Sequence, residues 1–399
     1  MQLFQAHQQW ATRPADERFW DLAEMEAVTR QYAELATEER GSWKDVRAVA
    51  IDSDLRIEKA NGTLKTFVPT HHAFGQICQH AEAPTAYLRK LPAELAAVNL
   101  NYGIQQAGEG SGTQFLVHPG NGLPVIRGAT SARYDRIWNF EIVQRLLNLH
   151  AGWRNPPARP VRDGDTRTRI ATAEDAAASL QGGLGIREGD VIGPAGLYAS
   201  DHDMFAFLVN VERVIEDGTG TPLMRGFIIR NSEVGGESLL FMRFLFEGPC
   251  GNHIIWGARG VEEYSVRHVG RNASQAWGEI VANMRAITDE ESEEDEAKIQ
   301  QAREIRLGTD KESALDTIVK LCRMESLTNL PRKRLEEAYN ASQAAFLGEP
   351  GAAVRNYGDP RSPWALVNAL TELSQKYTWA DARHAIDRDA GKLLAAVVG

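Results

Sequence analysis

The spacing of apolar positions changes repeatedly along this chain, and each change marks a new element. Phe19, Leu22, Met25 and Ala33 recur at near-helical intervals among Ala and Glu, which predicts a helix within residues 1–40. The period then shortens to two. Asp45–Asp52 and Leu55–Glu58 read as strands, and Asn61-Gly62 ahead of Leu64–Val68 is the dipeptide most favoured in tight hairpins. Thr70–Ala81 returns to a helical pattern with Thr70 as N-cap, Pro84 fits the first turn of another helix, and Pro92 opens a third through Leu100. Thr113–Arg127 is strand-like, interrupted by the polar turn Pro119–Gly122, and Phe140–Leu149 is an apolar helix.

The densest β pattern lies between Asp201 and Gly270. Met204–Val211, Leu223–Arg230, Ser238–Glu247 and His253–Gly257 are apolar runs separated by Asp217-Gly218, Gly235-Gly236 and Gly248-Pro249. Glycine at such stops supplies the positive φ that tight turns require. A helix is expected from about Ser274 to Ile287, running on through the acidic segment to Leu307. Beyond it Lys311–Met324, Arg332–Ala345, Trp364–Lys376 and Trp379–Val397 are helical, with a Gly/Pro-rich break over residues 348–363. The expected fold is α+β: a central antiparallel β-meander packed by helices, with a helical C-terminal region. The expected organisation is a mixed α/β region (residues 1–150), a Gly/Pro/Arg-rich linker or loop (151–200), the central sheet plus helix (201–287), and an acidic segment leading into the helical C-terminal region (288–399).

Composition narrows the class. With 399 residues, 43% hydrophobic and 25% charged, the chain has the makeup of a globular protein able to bury a sizeable core. No run approaches the roughly 18 apolar residues of a membrane span, and the first residues lack a signal-peptide pattern. Cys78, Cys250 and Cys322 are too far apart to suggest a disulfide framework, which points to a reducing compartment. The expectation is a cytoplasmic protein with no membrane partner. A net charge of −10 weighs against whole-surface attraction to nucleic acid, although not against a local basic groove. Much of the acid sits in Asp289–Glu296, a pattern typical of a solvated helix face.

Several stretches carry candidate chemistry. If Ala132–Trp138 is extended, Arg133, Asp135 and Ile137 share one face and Tyr134, Arg136 and Trp138 the other. Such an aromatic–arginine–aromatic face reads first as a buried aromatic pair with a structural Arg–Asp bridge, and second as a single-strand platform with rings under bases and the guanidinium on phosphate. Asn231-Ser232-Glu233 precedes Gly235-Gly236 and reads first as a turn, second as a ligand-binding turn. Asp201-His202-Asp203 superficially resembles a metal-ligand triplet, Cys250-Gly251-Asn252-His253 is half a zinc site, and His71, His72, Cys78 and His80 match no ligand spacing. Gly108–Thr113 lacks the context of a phosphate loop. Arg154, Arg159, Arg162, Arg167 and Arg169 form the most basic stretch, diluted by Asp163 and Asp165. No metal and no cofactor are expected.

The stretches Phe74–Leu100, Ala132–Asn139, Arg225–Trp256 and Ser362–Leu373 together resemble the phage/plasmid-like protein family defined by domain of unknown function 932. The resemblance spans most of the chain and implies a mobile-element protein linked to DNA replication, recombination or host conflict. A meander followed by a long helix is also the arrangement of phage single-strand annealing proteins, an analogy of fold alone. The leading expectation is a DNA-transaction protein that binds single-stranded DNA, as a homo-oligomer, through Arg133, Tyr134, Arg136, Trp138, Arg230, Arg243 and Arg267. The alternative is an enzyme or small-ligand-binding protein with Asp201, Asp203, Asn231, Glu233, Cys250 and His253 in a polar pocket at the end of the central sheet. A third is an interaction protein of host–phage conflict acting through the helical C-terminal region.

Overall fold

The computed structural model describes residues 16–61, 63–106, 112–149, 152–155, 159–160, 167–182, 186–216, 222–247, 252–254, 263–268, 277–278, 280–282, 293–377 and 379–398. Asp21 starts helix α1 (Leu22–Leu35) by accepting a hydrogen bond from the Glu24 N–H, satisfying a first-turn donor that has no partner within the helix. The N-terminal sheet then forms from β1 (Thr37–Ser42), β2 (Val46–Ile51), β3 (Asp54–Asn61), β4 (Thr63–Pro69), β5 (Gly112–His118) and β6 (Val125–Ser131), in the order β1-β5-β6-β4-β3-β2. β3 and β4 are the two arms of the hairpin expected at Asn61-Gly62. All neighbours are antiparallel except β4 and β6. A parallel pair needs a crossover, and α2 (His71–His80) and α3 (Ala93–Gln106) lie in the one that joins these strands. Thr70 caps α2 as its sequence predicts, accepting from the Ala73 N–H.

Helix α4 (Asn139–Leu147) leads toward the second sheet, built from β7 (Leu197–Ala199), β8 (Met204–Glu216), β9 (Pro222–Asn231), β10 (Leu239–Glu247), β11 (Asn252–Ile254) and β12 (Glu263–Val266), with the short strands Glu17–Arg18 on β7 and Trp153–Arg154 on β8. Every pairing in it is antiparallel, with β8-β9-β10 as consecutive neighbours, so the expected meander is present. Its strands are apolar at nearly every position because both faces are covered. Met204, Ala206 and Leu208 pack with Met25 of α1 and Ile142 and Val143 of α4. Phe205, Phe207 and Val209 point the other way, into a cluster that includes Phe244, Phe246 and Ala380. Each of the Val, Leu, Ile, Met and Phe side chains among them contributes about 1.5–3 kcal/mol of burial.

The C-terminal region is helical: α5 (Glu293–Glu304), α6 (Lys311–Met324), α7 (Arg332–Phe346), α8 (Pro363–Ser374) and α9 (Ala380–Val398). α8 is apolar around most of its circumference and forms the centre of this layer, with Trp364, Leu366, Val367 and Leu370 in its core. The architecture is thus α+β with a helical C-terminal region. Where composition alone reads as a linker, Arg159–Pro160, Arg169–Ile170 and Val191–Gly193 pair as a small sheet beside a helix at Ala173–Gly182. Among the described residues no helix is long and apolar enough to cross a membrane.

Candidate functional site

Antiparallel register places the site. Met204 pairs with Asn231, so the turn that enters β8 (residues 200–203) lies beside the turn that leaves β9 (residues 231–236). Each turn is dense in polar side chains. Asn231, Ser232 and Glu233 are all essentially inaccessible to solvent, and a polar group buried that deeply costs stability unless it is bonded. The partners come from β6, the start of α4 and the chain between them. Asn231 Nδ2 donates to the Ile137 carbonyl and to Asn139 Oδ1, both at 2.8 Å. Glu233 accepts from the Asn139 N–H at 2.8 Å and from Arg127 Nη1 at 3.3 Å. Tyr134 donates its hydroxyl proton to the Ser232 carbonyl at 2.5 Å and accepts from the Gly235 N–H at 3.1 Å. Gln76 of α2 completes the join, donating to the Val234 carbonyl at 2.6 Å and accepting from the Ala129 N–H at 2.7 Å.

Beside this network lies a cluster of ionisable groups. His202 is held between two carboxylates, with Nδ1 at 2.8 Å from Asp201 Oδ1 and Nε2 at 3.2 Å from Asp203 Oδ2. Asp201 also accepts from the His72 N–H at the start of α2, at 3.3 Å. The His72 and His202 rings stack at 4.7 Å, nearly parallel. Burial pulls His202 down, but hydrogen bonds and charge from Asp201 and Asp203 outweigh it and raise its pKa to about 9. Burial and the charge on His202 push His72 the other way, to about 4. Asp201 is raised by burial but lowered more by His202, and settles at about 2. Asp381, in the first turn of α9, brings a third carboxylate: His202, Asp203 and Asp381 each place one ligand atom within 4.8 Å of the others.

The cluster has an open side. Gly235 and Gly236 are exposed, and a Cβ at Gly236 would stand 3.4 Å from both the His202 Cδ2 and His72 Cε1 atoms and 3.1 Å from Ser232 Oγ. The absence of a side chain there leaves a ledge against both rings. Gly235 adopts φ +80, a conformation that favours glycine.

The residues expected to contact nucleic acid are distributed differently. Tyr134, Arg136 and Trp138 do share one face, with the Arg136 guanidinium 5.6 Å from the Tyr134 ring and 5.4 Å from the Trp138 ring. That face turns inward through an irregular segment rather than a strand. The Arg136 side chain is 3% exposed, bonded to Glu38 and to the Glu233 carbonyl. Arg230 is buried, paired with Glu237 and 5.0 Å from the Phe205 ring centroid. Arg243 is half-buried in β10 opposite Phe227. Arg133 and Arg267 are exposed.

Of the residues expected in a pocket, Asp201, Asp203, Asn231 and Glu233 converge at this sheet end. His253 stands in β11 opposite Phe246 with its side chain outside the described residues, and Cys250 lies outside them altogether. His80 stacks on Trp43 at 3.9 Å, and the buried Cys78 thiol is pushed up to about 11, so neither joins the cluster. Gln76, Arg127 and Asp381 belong to the site but carried no distinguishing local signal, whereas His72 stood out only as a histidine without ligand spacing and Asn139 only as the end of the Arg133–Asn139 cluster. Each reaches it from an element distant in sequence.

Fold and site together define an α+β protein with a buried polar junction between two sheets and an ionisable cluster at the end of the central one. No protein family, curated protein or solved structure matches the chain.

Proposed function

We propose that this chain is an enzyme or small-ligand-binding protein whose centre is the ionisable cluster at the end of the central sheet, beneath the Gly235–Gly236 ledge. The observation that carries this reading is convergence: Asp201, His202 and Asp203 before β8, Ser232 after β9, and His72 from α2 meet at one open glycine turn. Ionisable groups are expensive to gather in a partly buried place, and clusters of them are concentrated where a protein binds or transforms something. A ligand on the ledge would meet the edges of the His72 and His202 imidazoles, which recognise a polar molecule rather than an apolar one. The single-strand reading retains Arg133 and Arg267 as its exposed contacts, whereas the central member of its stacking face, Arg136, is engaged internally.

Thermal denaturation against a panel of nucleotides, sugar phosphates and small carboxylates tests the reading, using the wild type and Gly236→Val. A compound that binds only the native state raises the melting temperature in proportion to its occupancy. At least one class is expected to stabilise the wild type and to lose that effect in Gly236→Val, whose side chain fills the ledge. If every stabilising compound acts equally on both proteins, the ligand site is elsewhere.

A further inference from the structure

We propose that His202, Asp203 and Asp381 bind a divalent first-row transition-metal ion, with Asp201 orienting the imidazole from behind. The inference rests on the ligand-site reading above and supplies the chemical identity of what sits on its floor.

The geometry argues for it in three ways. First, the His202 Nε2–Asp203 Oδ2 separation of 3.2 Å matches that of two neighbouring ligands on one metal, since bonds of about 2.0–2.2 Å set adjacent donors roughly 3 Å apart. Asp381 lies within 4.8 Å of both, on the first turn of a helix and only half-buried, so a side-chain rotation closes the set. Second, the other imidazole nitrogen is already engaged. His202 Nδ1 is 2.8 Å from Asp201 Oδ1, and a carboxylate on the far nitrogen is the usual support of a metal-bound histidine because it fixes the tautomer and raises ligand basicity. Asp201 is in turn held by the His72 N–H, so the support is anchored to a second element.

Third, three carboxylates converge on one imidazole, so the four groups carry excess negative charge even with His202 protonated. Asp203 is 2% exposed, and like charges held this close to a buried carboxylate favour a cation among them. The ligands also come from parts of the chain far apart, the turn before β8 and the start of α9, so chance local acidity does not account for their meeting.

One imidazole with two carboxylates favours manganese, iron or zinc over calcium or magnesium, which take all-oxygen sets. Three protein ligands leave coordination positions for water or ligand, and the open Gly236 ledge lies against the same imidazole.

The test is uptake of Mn2+ by the full-length protein, followed by loss of the free-ion electron paramagnetic resonance signal, with Zn2+ competition and Mg2+ as control. One equivalent per chain is expected, displaced by Zn2+ and not by equimolar Mg2+. Asp381→Asn should weaken uptake at least tenfold, and Asp201→Asn tenfold to a hundredfold although Asp201 donates no ligand atom. Asp381→Glu should restore part of the affinity, and circular dichroism confirms that each variant is folded. Absence of saturable uptake by the wild type, or uptake unchanged in both Asn variants, overturns the metal site. Gly236→Val separates this inference from the reading beneath it, because it fills the ledge while leaving all three proposed ligand residues in place. Ligand binding that depends on Gly236 without Mn2+ uptake overturns the metal alone. Mn2+ uptake with no Gly236-dependent ligand overturns the ligand reading and leaves the metal site standing.

Discussion

Arg136 shows how burial redirects a motif. Its Nε lies 3.3 Å from Glu38, its Nη1 donates to the Glu233 carbonyl, and Tyr134 and Trp138 flank it. Truncation strands these partners, so Arg136→Ala should cost about 3 kcal/mol in urea denaturation, the low end for breaking a buried pair because Glu38 is 33% exposed. Arg136→Lys should recover little, since a point charge cannot serve both partners and stack between rings. Asp387 offers a titration in the C-terminal core. Burial raises its pKa from 3.8 to about 7 against the opposing influence of Arg383, and Ser374 donates to it at 2.6 Å. Between those two values the folded chain holds a proton that the unfolded chain has released, so stability falls as pH rises through that window. Asp387→Asn should therefore gain on the wild type from pH 4 to pH 7, reaching on the order of 3 kcal/mol. A difference between the two proteins that is constant with pH would show that this carboxyl does not titrate there.

The close approach of β6 to the 231–236 turn fixes where the two sheets join. A Cβ at Gly128 would lie 2.5 Å from Val234 Cβ, well inside contact distance. Gly128→Ala should thus cost about 1–3 kcal/mol through overpacking and should speed amide exchange over residues 231–238 while leaving the C-terminal helices protected. At this level the sequence was informative wherever the cause is local. Thr70 caps its helix as expected, through a side chain three positions from the N–H it satisfies, and Asp310 and Ser362 do the same in α6 and α8. The segment Ala132–Trp138 marks where such reading ends. Its alternation correctly groups Tyr134, Arg136 and Trp138 on one face. A two-residue period, however, defines two faces without saying which meets solvent. Here the neighbouring Asn231–Gly235 turn supplies the carbonyls that draw Tyr134 and Arg136 inward.

For the molecule as a whole, the internal pairing of Arg136 and Arg230 leaves Arg133 and Arg267 as the exposed members of the seven residues named for nucleic acid. If single-stranded DNA is a partner through them, Arg133→Ala with Arg267→Ala should lower affinity and flatten the plot of log affinity against log salt by about 1.4. Equal affinity and slope in the double variant would remove these residues from any such interface. Placing the C-terminal helices against the central sheet also brings Asp381 to the ionisable cluster.

Hydrophobic period, turn dipeptides and capping residues were enough to establish the α+β class, the antiparallel meander and the span of the C-terminal helices, because each depends on neighbours within a turn or a strand. The sequence also exposed Asp201, Asp203, Asn231 and Glu233 as polar residues at strand ends. It could not join them to His72, Gln76, Arg127 and Asp381. Those meetings depend on the register of β8 against β9, on Gly128 admitting the turn beside β6, and on the docking of α9 on the sheet. Such contacts are set by packing between elements distant in sequence, and packing alone decided which charged residues became a buried junction and which stayed at the surface.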